Sequence, residues 1–142
     1  MTAEAPIQLE RVSHFYGSGA LEKQILFDVS VEIGAGEIVI VTGPSGSGKT
    51  TLLTLIGALR SAQKGSVRVL GKDLVGAKER GLRSVRRQIG YIFQAHNLLD
   101  ALSAEQNVVM SLLLERSRSL REARRMAREM LESVGLGERC AQ

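Results

Sequence analysis

Eight residues, Gly43–Thr50, have the types and the spacing that polyphosphate binding requires, and they match the pattern G-x-x-x-x-G-K-[ST] at every fixed position. Glycine reaches positive φ at no steric cost, so a loop of this composition can turn tightly and point successive N–H groups at one anion. Lys49 can bring a positive charge to the β- and γ-phosphates, and the Thr50 hydroxyl is suited to Mg²⁺. The loop therefore predicts a site for a nucleoside triphosphate.

A phosphate-binding loop needs a strand before it and a helix after it, and the flanking sequence predicts both. The run Ile38–Val41 has no polar residue at alternate positions, which is typical of a strand buried on both faces at the centre of an α/β sheet. The segment Thr51–Leu59 continues as an apolar helix whose positive N-terminal end would face the phosphates. The alternative interpretation is a Gly/Ser turn that ends in a solvated lysine, and this context disfavours it.

Several shorter segments predict the rest of a sheet. Ile7–Val12 is predicted to be a short strand followed by an aromatic segment, and Ile25–Ile33 alternates so completely that a half-buried antiparallel strand is expected, with Phe27 on its apolar face. Further predictions are a strand at Gly65–Leu70, a basic helix or turn at Glu79–Arg87 and a strand at Gln88–Gln94.

Two helices are predicted in the last third of the chain, because Ser103–Gln106 and Ser119–Glu122 both fit the capping box. In the second helix an apolar stripe is expected to face the core, and Gly135 is expected to end the helix. The stripe consists of Leu120, Ala123, Ala127, Met130, Leu131 and Val134.

The composition is that of a soluble globular domain, with 44% hydrophobic and 24% charged residues among 142. One cysteine, Cys140, leaves no internal disulfide or cysteine-based zinc site, and two histidines are too few for a metal cluster. The net charge of +4 comes largely from arginines, six of them between Arg116 and Arg128. Few aromatic residues accompany these arginines, so a solvated helix face is favoured over a nucleic-acid surface.

The order of these motifs resembles the nucleotide-binding domain of an ABC transporter. The match is carried by Phe15–Gly17, the loop with its following residues Thr51–Leu53, Gly65–Val67 and Ile89–Gln94. The segment from Asn97 to Val108 resembles the branch of lipoprotein-releasing, macrolide-exporting and glycolipid-exporting systems. The resemblance implies an α/β phosphate-loop NTPase fold with an incomplete sheet. The RecA-like ATP-binding core and an N-terminal antiparallel β subdomain would together occupy about 1–94, and the start of a helical subdomain about 95–142.

The same resemblance implies how the site works. Tyr16 would stack on adenine, Thr50 and Gln94 would hold Mg²⁺, and Lys49 and Gln94 would act in hydrolysis of ATP. The residues expected to contact the nucleotide are Tyr16, Gly43, Pro44, Ser45, Gly46, Ser47, Gly48, Lys49, Thr50 and Thr51. The surface about Gln94–Leu114 would meet a membrane permease, although its leucines and valines fit an ordinary core equally well. A second copy of the subunit would complete a homodimer on the cytoplasmic face of the membrane, and no nucleic acid is expected as a partner.

Several motifs that the family uses for hydrolysis have no match in this sequence. Hydrolysis in this family needs an aspartate at a strand end, an adjacent glutamate base, a glycine-rich signature and a switch histidine, and no residue of this chain matches them. We therefore expect a fragment or one of a split pair that is poorly stable alone, binds ATP weakly if at all, and turns over negligibly.

Two other functions stay open at this stage. A different phosphate-loop protein, such as a small nucleotide kinase or a regulatory ATPase, would leave Tyr16 and Gln94 unexplained. A basic, non-enzymatic binding module would show a steep dependence of its affinity for DNA or RNA on salt.

Overall fold

The computed structural model describes residues 4–93, 98–114 and 118–139. The chain divides into two compact units, Met1–Ile92 and Phe93–Gln142, which we call the sheet unit and the helical unit. None of the helices in these described ranges combines the length and the apolar character that crossing a bilayer would take.

A four-stranded antiparallel sheet forms the sheet unit's framework, with strand order β2-β1-β3-β4. The strands are β1 (Ile7–Tyr16), β2 (Lys23–Ile33), β3 (Lys64–Val69) and β4 (Lys72–Asp73). The predicted antiparallel strand at Ile25–Ile33 and the predicted strand at Gly65–Leu70 are confirmed by β2 and β3. The first strand is longer than predicted, because the aromatic segment that ends at Tyr16 continues β1.

Three register shifts interrupt the pairing of β1 with β2, and two of them contain a bulge residue at positive φ, Arg11 (45°) and Asp28 (52°). Two serines satisfy the backbone groups that the bulges release: Ser30 Oγ accepts the Arg11 N–H at 2.9 Å, and Ser13 Oγ accepts the Asp28 N–H at 3.1 Å. The expected placement of Phe27 was wrong as a result. A bulge reverses which side chains face inward, so Leu26 is buried while Phe27 is 68% exposed.

Two helices belong to the sheet unit, α1 (Lys49–Ile56) and α2 (Glu79–Arg86). The core contains apolar side chains from β1, β3 and both helices. Its most deeply buried members are Val12, Leu55, Val67, Val69 and Val85. Beyond α1 the chain turns sharply at Ala58, which is buried at φ 55° and whose carbonyl accepts a hydrogen bond of 3.0 Å from Arg86 Nη1 of α2.

Two predicted strands are not strands in the structure. Ile38–Val41 lies outside the sheet with Ile38 94% and Ile40 81% exposed, and the described part of Gln88–Gln94 also lacks strand pairing, with Ile92 97% exposed. A strand requires neighbours that pair with its backbone. Within the described residues no strand pairs with either segment, so their apolar composition alone does not place them in a sheet.

The helical unit contains α3 (Ala104–Leu113) and α4 (Leu120–Ser133). Both predicted helix starts are confirmed: Ser103 makes a full capping box with Gln106, and the Ser119 hydroxyl accepts the Glu122 N–H. Gly135 follows α4 at φ 76°, and the hydrogen bonds from its N–H to Glu132 O and from Leu136 N to Leu131 O form a Schellman motif.

The buried stripe of α4 is narrower than predicted. Ala123, Ala127 and Leu131 are buried, but Leu120 and Met130 are each 51% exposed and Val134 is 68% exposed. Small alanines allow α3 to approach α4 closely along one line, so the flanking positions of the stripe remain outside this contact.

Candidate phosphate-binding site

The glycine-rich loop turns into α1 through residues with positive φ, namely Gly43 (147°), Gly46 (79°) and Gly48 (92°). Gly48 is the N-cap of α1 and is packed against β2, where a Cβ would lie 2.7 Å from Leu26 Cδ2 and 3.1 Å from Ile25 O. Any side chain here would displace the loop from the sheet. The close approach to β2 thus fixes where α1 begins and where its positive end lies.

Lys49 folds back over the loop. Its ammonium donates to Gly43 O and to Pro44 O, both at 2.7 Å, and lies 3.5 Å from Ser47 Oγ. A turn within the loop, with Ser47 N donating to Pro44 O at 3.3 Å, keeps these carbonyls close together. The loop therefore holds its positive charge beside its own backbone, where a bound polyphosphate would meet it.

The three threonines of α1 have different surroundings. Thr50 is exposed, and its hydroxyl has no hydrogen-bonding partner among the described residues. Thr51 is buried and its hydroxyl lies 3.3 Å from Tyr16 OH, while Thr54 Oγ1 donates to Thr51 O at 2.8 Å. Thr50 is thus free to bind a cation, whereas the Thr51 side chain is directed to the aromatic residue of β1.

A Mg²⁺ ion fits the chemistry of this position. The ion prefers hard oxygen ligands and keeps several waters, so one protein hydroxyl beside phosphate oxygens is a suitable donor set. The described residues contain no grouping of three or more His, Cys, Asp or Glu side chains that would hold a metal by themselves. A metal at this site would therefore depend on the nucleotide phosphates together with Thr50.

Tyr16 lies at the end of β1 in a small polar cluster. The His14 and Tyr16 rings form a T-shaped pair, with centroids 5.0 Å apart and an interplanar angle of 81°. The guanidinium carbon of Arg60 lies 5.0 Å from the Tyr16 ring centroid, over its face. Together with the contact to Thr51, these neighbours hold an aromatic ring beside the first turn of α1.

His14 is almost completely buried, and its Nδ1 has no hydrogen-bonding partner. Burial lowers the pKa of His14 below its usual 6.5, and the nearby Arg60 cation lowers it further. The ring is thus neutral at pH 7. Sequence reasoning missed this neighbour of Tyr16, although the spacing of two residues along a strand places both on one face.

Nothing in the sequence indicated that Arg60 lies near Tyr16, because the two residues meet only through the turn that follows α1.

Gln94, the other predicted ligand of Mg²⁺, lies outside the described residues. Part of the predicted permease surface is described: Leu98 and Leu99 are 62% and 50% exposed beside a largely apolar groove of about 570 Å³ in the helical unit. This groove is lined by α3, α4 and the residues that flank them.

A glycine-rich loop that opens a helix, next to a lysine that folds over it, is the defining feature of phosphate-loop NTPases. The family model described as ABC transporter matches residues 26–141 of this chain. The chain belongs to the ABC transporter family, as its motifs predicted.

Curated relatives show which members of the family this chain is similar to. The chain is 40% identical over 134 residues to lipoprotein-releasing system ATP-binding protein LolD 2 of Rhodospirillum rubrum, covering 94% of this chain and 58% of that protein. It is 41% identical over 137 residues to the LolD protein of Chromohalobacter salexigens, covering 96% and 57% of the two chains. The chain thus spans less than three fifths of the length of these relatives.

Solved structures of ATP-binding cassettes are similar to this chain in fold. A dimeric ATP-binding cassette in a post-hydrolysis state, bound to ADP and phosphate, superposes with a TM-score of 0.84 at 35% identity. The match covers 95% of this chain and 60% of the solved one. The predicted α/β phosphate-loop NTPase fold with an antiparallel β region and following helices is therefore confirmed.

Proposed function

We propose that this chain is the ATP-binding part of an exporter in which ATP binding and hydrolysis drive a separate membrane permease. The geometry of the loop carries this proposal: three positive-φ glycines curve the backbone at the N-terminus of α1, and the Lys49 ammonium lies within hydrogen-bonding distance of two loop carbonyls. The similarity to lipoprotein-releasing ATP-binding proteins supports the assignment to an exporter.

All the predicted site residues except Thr51, whose side chain contacts Tyr16, have a role in this proposal. The backbone N–H groups of the loop Gly43–Gly48, in which Pro44 has none, and the α1 dipole bind the phosphates. Lys49 stabilises charge on the transferred phosphoryl group. Tyr16 stacks on adenine. Thr50 and Gln94 hold Mg²⁺, which when bound neutralises phosphate charge, and Gln94 also orients water.

The partners follow from the same assignment. We infer that the permease binds the surface about Gln94–Leu114, where Leu98, Leu99 and the groove beside α3 expose apolar area. A second copy of the subunit is the other partner, as in the dimeric cassette that this chain resembles. Such a subunit works at the cytoplasmic face of the membrane through its permease.

We also propose that the 142-residue chain alone binds ATP weakly and has negligible turnover. The described site has cationic, amide and hydroxyl groups at the phosphates, and the sequence has no counterpart of the family's acidic strand and adjacent glutamate. Binding and charge stabilisation are then available without a base to activate water.

The test is an NMR titration of the chain with ATP and Mg²⁺, because NMR measures weak affinities. We expect Lys49→Ala to reduce the affinity for ATP about tenfold or more, since it removes hydrogen bonds to charged groups. Lys78→Ala is the matched control: Lys78 is an exposed lysine at the N-cap of α2, so this variant removes the same charge at another helix start and should leave the affinity unchanged.

Two results would contradict the proposal. The first is an affinity for ATP that Lys49→Ala leaves intact, because the site would then lie elsewhere. The second is robust steady-state hydrolysis by the isolated chain that depends on Lys49, because a base would then be present among its residues.

A further inference from the structure

Arg60 is a charged neighbour of Tyr16 that comes from outside the strand and the helix that form the site. It follows α1 by four residues and is itself exposed, yet its guanidinium lies 5.0 Å from the Tyr16 ring centroid. A cation over an aromatic face is attracted by the negative potential of that face. The contact therefore adds a restraint on the ring to those from Thr51 and His14.

The backbone of Arg60 is held in place by the turn after α1. Arg60 N donates to Thr54 O at 3.2 Å, and Leu59 N donates to the same carbonyl at 2.9 Å. The preceding Ala58 is buried at positive φ and is tied to α2 by the hydrogen bond from Arg86. Arg60 thus extends from a fixed point, so its position over the ring does not rely on a flexible loop.

We infer that Arg60 is a positioning residue for recognition of the adenine base, and this inference rests on the proposed function. The guanidinium covers one face of Tyr16 and the base stacks on the opposite face. The Tyr16 hydroxyl at Thr51 and the T-shaped contact with the His14 ring add further restraints on the Tyr16 ring. A ring held in the stacking orientation before binding loses less conformational freedom when the base arrives, so Arg60 raises the affinity for the base but not for the phosphates.

The test compares two ligands that share the phosphate site, ATP and inorganic tripolyphosphate, each with Mg²⁺ and each followed by NMR titration. We expect Arg60→Gln to weaken ATP binding about two- to fivefold, which corresponds to an exposed cation–π contact, and to leave tripolyphosphate binding unchanged. Arg60→Lys keeps a cation over the ring and should recover part of the loss. Arg80→Gln removes the same charge from an exposed position on α2 and should change neither affinity.

A second measurement needs no nucleotide. The Arg60 side-chain methylene protons should show ring-current shifts in the free chain, and Tyr16→Leu should abolish them. Shifts that survive Tyr16→Leu, or that are absent in the unsubstituted chain, would overturn the inference.

The titrations also separate failure of the inference from failure of the proposed function. If ATP binding depends on Lys49 but Arg60→Gln leaves it unchanged or strengthens it, Arg60 is not a positioning residue. If ATP and tripolyphosphate weaken equally, Arg60 acts only as a general positive charge. If the unsubstituted chain does not bind ATP through Lys49, the proposed function fails and the role of Arg60 fails with it.

Discussion

Two segments of the sheet unit, β3 and Ile38–Val41, both carry β-branched apolar side chains but differ in how far these are buried. In β3, which pairs with β1, Val67 and Val69 are each 1% exposed and belong to the core that also contains residues of α1 and α2. In Ile38–Val41, the side chains of Ile38 and Ile40 are 94% and 81% exposed, and no strand in the described ranges pairs with them.

The difference shows that burial is a property of the surrounding structure as much as of the segment. β3 alternates and needs only one covered face, which α1 and α2 provide with β1 alongside. A segment without polar alternates needs cover on both faces and pairing on both edges. The hydrophobic composition of a segment therefore indicates how many of its faces need cover. Whether the segment is buried depends on the elements that pair with it and pack against it.

The largest effect should come from shortening a side chain in the paired sheet rather than in the exposed run. Leu9 of β1 is 2% exposed, so Leu9→Ala should lower the free energy of unfolding by about 2–5 kcal/mol. Ile40→Ala should change it by only about 0.5 kcal/mol or less, because its side chain is already in solvent. Urea unfolding followed by circular dichroism measures both, and equal losses would abolish the contrast between the segments.

A smaller effect is expected from two glycines that both have positive φ, Gly65 (87°) in β3 and Gly36 (79°) before the exposed run. A Cβ at Gly65 would lie 2.4 Å from Arg11 O and 2.5 Å from Glu10 O, whereas no atom lies within 4 Å of one at Gly36. Gly65→Ala should therefore cost more than the roughly 1–3 kcal/mol of backbone strain that Gly36→Ala shares. The same urea experiment gives the comparison, and matching costs would mean that β1 and β3 approach less closely than described.

The smallest effect is a dependence of the free energy of unfolding on pH that arises at His14 of β1. The pKa of His14 is lowered by burial and by Arg60, so below about pH 6.5 the unfolded chain takes up a proton that the folded chain resists, and the free energy of unfolding falls. Well above pH 6.5 neither the folded nor the unfolded chain binds this proton, so His14 adds no dependence of stability on pH there. His14→Gln should reduce this slope in unfolding measured from pH 7.5 to 5.5. An unchanged slope in His14→Gln would contradict the assignment.

The sequence was most informative where the controlling interactions are local. The glycine loop, the start of α1 nearby and the serine caps of α3 and α4 depend on residues within a few positions of one another, and all were predicted correctly. The exposure of Phe27 and the position of Arg60 depend on bulges and turns set by other elements, which no local pattern records. Roles for Tyr16, Lys49 and Gln94 came from their order along the chain and remain predictions.

The bulge at Asp28 has a consequence for contacts between molecules. β2 is an outer strand of the described sheet, and such a strand can recruit a neighbouring chain into a continuous ladder that grows toward aggregates. At Asp28 the backbone turns to φ 52° and its N–H points to Ser13 of β1, so the outer row of donors is broken near its middle. Intermolecular pairing along this edge is limited to short stretches on either side, which protects the chain from assembling edge to edge.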